Sequence, residues 1–131
     1  MADLTTGAAA WRSREAKIMI NRAALILRYK EPFIRWVNEV DPVDDDPGIT
    51  LAMANADSTI YLITEDDAES IEQWLSLNYQ TLFESMLEEW YTDEALWPQD
   101  RTRSLFDQWF EPELHTVLVD TVGGPIVDEE L

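Results

Sequence analysis

The chain has 131 residues, the length of one domain, and 46% of them are hydrophobic, which is enough to form a core. It contains no cysteine, so disulfide bonds, thiolate metal ligands and a cysteine nucleophile are excluded. Since no apolar run approaches the roughly 20 residues that span a bilayer, the sequence predicts no membrane segment. A small secreted domain often depends on disulfides, so their absence favours a cytoplasmic location.

The net charge of −18 is distributed unevenly along the chain. Residues 1–35 contain seven Lys/Arg and three Asp/Glu, whereas residues 36–131 contain two Lys/Arg and 24 Asp/Glu. Such a surface repels nucleic acids and anionic membranes, and it favours basic partners, cations or simple solubility. Adaptation to a salty cytoplasm would produce the same balance, so charge alone does not select a function.

The first eighteen residues differ from the rest of the chain because they are small, polar and without clear periodicity. Met19 opens the segment "MINRAALILRYK", where strand-like sequence begins. We predict that residues 1–18 are an N-terminal extension, that translation starts naturally at Met19, and that residues 19–131 form a single domain. The alternative is a native tail or a short helix from Ala8 to Ile18.

In the first half of the domain the sequence pattern predicts a strand, a helix and two more strands. Arg22–Tyr29 is short and rich in Leu and Ile, which is typical of a buried strand. Pro32 suits the first turn of a helix, in which apolar residues recur at helical spacing. The segment "DPVDDDPG" indicates a loop, and strands are predicted at Ile49–Ala54 and, from its β-branched and aromatic residues, at Ser58–Ile63.

A long amphipathic helix is predicted to follow, with Thr64 as its N-cap and acidic residues in its first turn. Its apolar stripe continues to Trp90, and we favour a break near Asn78 over one continuous helix.

The last third of the domain predicts a short helical turn, one helix and one strand. The turn falls in "TDEALWPQD", and Thr102 or Asp100 caps a helix that ends near Phe110, limited by Pro112. A strand is predicted at Leu114–Val122, followed by a glycine turn and an edge segment or acidic tail. The resulting order, β-α-β-β-α-α-β, indicates an α+β domain with a mixed or antiparallel sheet of about four strands and helices packed on one face.

No recognisable catalytic motif is present, so no catalytic residue, metal ligand or cofactor is predicted. The acidic loop that starts at Asp41 lacks the ligand spacing of an EF-hand, and the four glycines do not form a phosphate-binding loop. His115 is the only histidine, and no Gly-x-Ser-x-Gly motif accompanies it. We interpret His115 as a sheet residue that is hydrogen-bonded to a neighbour.

The aromatic stretch "WYTDEALWP" and the helix after it allow two interpretations. It is a bent connector held by aromatic anchors, with its arginines paired to nearby carboxylates. Alternatively it is a recognition patch for a partner, because Trp and Arg dominate interface hot spots. We favour the connector, since a short chain needs its large aromatic residues for the core. The patch would consist of Trp97, Arg101, Arg103 and Trp109.

The segments "EEWYTDEALWPQDRTRSLFDQWF" and "KEPFIRWVNE" resemble a family of small bacterial proteins without an assigned activity. The resemblance covers roughly Met19 to Asp120, and short leading tails are not part of the family's pattern. It implies a bacterial cytoplasmic protein and supplies no catalytic residue.

Three functional hypotheses follow from the sequence. The first is a non-enzymatic binding or regulatory protein that engages a basic protein partner. The second is an inhibitor that mimics nucleic acid, and the third is a cation-dependent hydrolase that uses carboxylates. Homodimerisation through a strand edge or the tryptophan patch is left open. In the second hypothesis, the nucleic-acid mimic, the residues that would take the place of phosphates are Glu69, Glu72, Glu84, Glu88 and Glu89.

Overall fold

The computed structural model of the chain describes residues 18–41 and 47–129. These residues form five helices and two antiparallel sheets, of three and two strands. The predicted α+β class, with helices packed against the sheet, is confirmed. In chain order the elements are β1 (Ile18–Ile20), β2 (Ala23–Tyr29), α1 (Glu31–Val40), α2 (Leu51–Ala54), β3 (Ile60–Ile63), α3 (Glu65–Glu69), α4 (Ile71–Glu88), a 3₁₀ turn (Glu94–Leu96), α5 (Arg103–Trp109), β4 (Phe110–His115) and β5 (Leu118–Asp120).

The main sheet has the order β3-β2-β4, with β2 at its centre, and β1 pairs with β5 in a separate two-stranded ribbon. Strand β1 directly precedes β2, and β5 directly follows β4, so the β1–β5 ribbon extends the β2–β4 pair. The pairing register changes between the ribbon and the sheet. Three residues separate Ile20 from Ala24, but only two separate their partners Leu118 and His115. The extra residue offsets the ladder as a β-bulge does. The predicted single strand Leu114–Val122 is therefore wrong.

The observed elements also correct two other predictions. Residues 51–54 form the short helix α2 instead of a strand, because the Thr50 side chain accepts a hydrogen bond from the Met53 N–H and caps a helix-favouring Leu-Ala-Met-Ala run. The long helix is broken at Ser70, not near Asn78. Asn78 donates its side-chain amide to the Trp74 carbonyl at 2.8 Å and so remains inside a continuous helix.

Local capping predictions are confirmed. The Thr64 side chain accepts from the Asp67 N–H, and the Thr102 side chain accepts from the Leu105 N–H, so each satisfies one backbone donor that the first helical turn leaves free.

The predicted boundary at Met19 falls inside β1. Of the predicted extension, residues 1–18, only Ile18 is described, and it begins β1; residues 1–17 and residues 42–46 of the acidic loop lie outside the described residues.

The core lies on one face of β2, which α1, α4 and α5 cover. Leu25, Leu27 and Tyr29 point into it from the strand. Phe33 of α1 lies at its centre, with no exposed surface and with ring contacts to aromatic residues of four other segments. Those contacts join Phe33 to Tyr29, Trp90, Trp109 and Phe110, with centroid distances of 4.5 to 6.1 Å. No helix in the described part of the chain has the length and apolar character needed to cross a membrane.

Candidate interaction surfaces

The two tryptophans of the predicted recognition patch are buried. Trp97 is 7% exposed and Trp109 is 8% exposed. The Trp97 Nε1 donates to the Tyr91 carbonyl at 2.7 Å, and the Trp109 ring contacts Phe33 and Phe83. Both side chains therefore contribute to the core, and their apolar surface is not open to a partner in this conformation.

Arg101 attaches the connector to α4. Its guanidinium donates to a Glu84 carboxylate oxygen at 3.1 Å and to the Pro98 carbonyl at 2.8 Å. The same group lies 5.7 Å from the centre of the Trp97 ring, within cation–π range. With 19% of its side chain exposed, Arg101 is partly removed from water, which strengthens its ion pair over that of a freely exposed arginine.

Arg103 makes a similar attachment at the start of α5. Its guanidinium lies 2.9 Å from carboxylate oxygens of Asp107 and Glu72, and it donates to Ser76 at 3.1 Å. The hydrogen bond that Arg103 donates to Asp107 is the largest cause of a raised Arg103 pKa. The predicted pairing of both arginines with nearby carboxylates is confirmed, and the geometry is that of a connector fixed on α4.

Two more aromatic hydrogen bonds hold the connector against α1. The Trp36 Nε1 donates to the Leu96 carbonyl at 3.1 Å, and the Tyr91 hydroxyl donates to the Val37 carbonyl at 2.8 Å. Each side chain buries an apolar body while its polar tip satisfies a backbone group, as large aromatic residues commonly do. A direct role of Trp97, Arg101, Arg103 and Trp109 in binding a partner remains a prediction.

His115 is the hydrogen-bonded sheet residue that the sequence predicted. Its Nε2 lies 2.7 Å from one carboxylate oxygen of Glu113, and the other carboxylate oxygen of Glu113 lies 3.6 Å from the Arg28 Nε. The hydrogen bond from His115 is the main cause of a lowered Glu113 pKa, and the Arg28 charge acts in the same direction. Within residues 18–41 and 47–129, no three His, Asp or Glu side chains are placed to hold a metal ion.

Most of the acidic surface is not neutralised by cations of the same chain. The described residues include 21 carboxylates and six Lys/Arg side chains, and none of these charged groups is buried. Ion pairs among the described residues involve only four of the carboxylates, which are Glu72, Glu84, Asp107 and Glu113. The remaining negative charge faces solvent and is accessible to a cationic partner.

A second surface, which was not predicted from the sequence, lies along β3. Ile60 and Leu62 are 56% and 51% exposed, whereas Tyr61 and Ile63 point toward the core side of the sheet. A groove of about 250 Å³ lies between β3 and α4. The signal in the sequence was the run "STIYLI", which contains no charge and no proline, but its position at the edge of the sheet was not predictable from the run itself.

Comparison of the chain with protein families, with curated proteins and with solved structures finds no match. The resemblance to a small bacterial family therefore remains a prediction, and the functional argument depends on the geometry of this chain.

Proposed function

We propose that the protein is a small acidic binding or regulatory protein that engages a basic protein partner. The observation that carries the proposal is the large excess of exposed carboxylates that no arginine or lysine of the described residues neutralises. Surface potential of one sign raises the association rate of an oppositely charged partner and suppresses binding of partners with the same sign. Nucleic acids and anionic membranes are therefore disfavoured as direct ligands.

The geometry gives the other two hypotheses less support. Of the five residues that would imitate phosphates, Glu72 and Glu84 form ion pairs with Arg103 and Arg101. Their charge is therefore partly neutralised, and a row of regularly spaced negative charges is interrupted. A carboxylate-based hydrolase needs an acid and a base that converge in a cleft with different environments. Glu65, Asp66 and Glu69 line one cavity of about 500 Å³, but all three are exposed, so none has the desolvated environment that distinguishes a catalytic acid from its base.

Affinity capture from a lysate of the native host tests the proposal. The full chain is immobilised, the lysate is treated with nuclease, and retained proteins are eluted with increasing salt. We expect a basic protein in near-stoichiometric amount at low salt, with recovery falling as ionic strength rises because exposed charges are screened. Recovery of no basic protein at low salt would contradict the proposal.

A matched pair of variants identifies the part of the acidic surface that binds. In the first variant the four α3 carboxylates are replaced by their amides. In the second, four carboxylates from α1 and from the start of the 3₁₀ turn are replaced in the same way. Because all of these side chains are on the surface, both variants should fold. We expect the first variant to lose more of the captured partner than the second, because the α3 carboxylates fall within five consecutive residues and so give a higher local negative potential. The residues changed are Glu65, Asp66, Asp67 and Glu69 in one variant, and Glu31, Glu39, Asp93 and Glu94 in the other.

A further inference from the structure

We infer that the basic partner docks as an extended segment along the edge of β3, in the groove between β3 and α4. This inference depends on the proposed function and specifies the surface and the kind of ligand. The segment would carry apolar side chains at alternate positions and Lys or Arg at its ends.

Strand β3 is an open edge among the described residues, since it pairs with β2 alone. An edge strand presents backbone N–H and C=O groups that another strand can pair with. Natural sheets commonly protect such edges with charged residues, proline or bulges, yet β3 is Ile-Tyr-Leu-Ile and carries none of these. Its unpaired edge and the exposed side chains of Ile60 and Leu62 are suited to addition of a strand from a partner.

The opposite edge of the same sheet is protected. Strand β4 contains Pro112, which cannot donate a backbone hydrogen bond, and it carries Glu111, Glu113 and His115. One sheet thus has one protected edge and one unprotected edge. This difference assigns strand addition to β3.

The groove beside β3 would receive side chains of the added strand. Its α4 wall is a stripe at helical spacing formed by Trp74, Asn78, Thr81 and Ser85, and its lining contains no charged residue. Apolar and neutral polar groups of this kind accept alternate side chains of an extended peptide. Ser85 is already bonded to the Tyr61 hydroxyl at 2.9 Å, so the two walls are held at a fixed spacing.

The charges at the two ends of the groove determine the chemistry of the ligand. Trp74 also lines a second cavity, of about 290 Å³, together with Asp66 and Asp67 of α3. At the other end, Glu89 accepts a hydrogen bond from Thr59, the residue that precedes β3. A neutral groove between two acidic ends is complementary to a segment that is apolar in the middle and basic at its ends.

The same charges argue against a second copy of the chain as the occupant. A symmetric antiparallel pair of β3 strands would place the Glu89 end of one copy against the Asp66 and Asp67 end of the other. Like charges brought together at an interface are repulsive, and the net charge of −18 on each copy adds to the repulsion.

Binding of a defined peptide tests the inference with the full chain. The probe is a fluorescein-labelled decapeptide with two lysines at each end and six central residues that alternate valine and threonine. Two control peptides replace the lysines with glutamates, or replace two central threonines with proline, which removes strand hydrogen bonds. We expect salt-sensitive binding of the probe by fluorescence anisotropy and little binding of either control peptide. We also expect slower hydrogen exchange, on binding, of the β3 amides that face away from β2.

Matched variants locate the binding site. Leu62→Lys places a charge in the exposed edge, and Val117→Lys makes the same change at an exposed apolar residue beyond β4. We expect Leu62→Lys to weaken peptide binding about ten-fold or more and Val117→Lys to change it less than about two-fold. Ile60→Lys is the second edge variant, and the melting temperature of each variant establishes that it is folded.

Several results would overturn the docking site. These are equal binding of the probe by wild type and Leu62→Lys, or binding of the proline peptide as tightly as the probe. Exchange protection, in the free chain, of the β3 amides that face away from β2 would also overturn it, as would a dimer in sedimentation, because the edge would then be occupied by the chain itself or by a second copy. If Leu62→Lys still captures a basic protein from lysate as wild type does, the proposed function stands and only the β3 site is rejected.

Discussion

The aromatic segment (residues 90–110) and the β3 edge (Ile60–Ile63) use apolar residues in opposite ways. The aromatic segment has the composition of an interface hot spot, yet Trp97, Trp109 and Phe106 are buried. The β3 edge has ordinary aliphatic side chains, yet two of them are more than half exposed. A short chain needs its largest aromatic residues in the core, so exposed apolar surface is found among smaller residues, such as those at unpaired strand edges.

The largest expected effect comes from the core to which the aromatic segment belongs. Phe83 has no exposed surface, and its ring contacts Phe106, Trp109 and Phe110. Phe83→Ala should lower the free energy of unfolding by about 3–5 kcal/mol, because it removes buried apolar area and leaves a cavity. Urea unfolding measures the change. A loss below about 1 kcal/mol would show that this cluster is not the core.

Trp97→Phe should have a smaller effect, of about 1–3 kcal/mol, because the Tyr91 carbonyl loses the indole donor that lies 2.7 Å from it. The measurement is the same unfolding experiment. If the substitution instead left stability unchanged and weakened capture of the partner, Trp97 would belong to a recognition surface and the comparison between the two regions would fail.

Alkaline pH should destabilise the fold through three tyrosines. Burial raises the pKa of Tyr29, Tyr61 and Tyr91 above their ordinary value of 10.0. In each case the phenol stays neutral longer in the folded state, so its stabilising contribution is complete below pH 10 and is lost as pH rises through the folded-state pKa. Unfolding by urea should therefore require less denaturant as pH is raised from 9 to 11.

Phenolate absorbance of the folded protein checks the cause of that loss. We expect part of the phenolate absorbance to appear with a midpoint above pH 10, and we expect Tyr61→Phe to remove some of that part. Phenolate that forms with an ordinary midpoint while the protein is still folded would rule out burial as the reason.

The ion pair between Arg101 and Glu84 should contribute less, since the Glu84 side chain is 39% exposed. A double-mutant cycle with Arg101→Gln and Glu84→Gln should give a coupling energy of about 0.5–1 kcal/mol that decreases with added salt. Arg28→Gln with Glu113→Gln is the control cycle, because that pair is longer, at 3.6 Å, and more exposed. A larger coupling in the control would contradict the assignment of Arg101 as the attachment of the connector.

The smallest effect is expected at the β3 edge. Leu62→Ala should change the free energy of unfolding by less than about 0.5 kcal/mol, because the side chain is already half exposed. Thermal unfolding measures it, with Leu82→Ala, on the buried side of the neighbouring helix, as the destabilising control. A large loss at Leu62 would show that the edge is covered in the free protein and is not available to a partner.

Local features of the fold could be predicted from short stretches of sequence. Thr64 and Thr102 were recognisable as helix caps because a cap needs only a side chain and the next three residues. Strand β2 and helix α1 followed from a short apolar run and from an amphipathic period that begins near Pro32. The pairing of Arg101 and Arg103 with carboxylates was predictable because acids greatly outnumber cations in that part of the chain.

Features that depend on residues distant in sequence became visible only in the folded structure. The division of Leu114–Val122 into two strands arises from register against β1 and β2, which a periodicity cannot reveal. Burial of Trp97 depends on the bend that brings its indole to the Tyr91 carbonyl. The β3 edge is open because β2 lies between β3 and β4, and the order of strands in a sheet is a property of the whole chain and not of any segment.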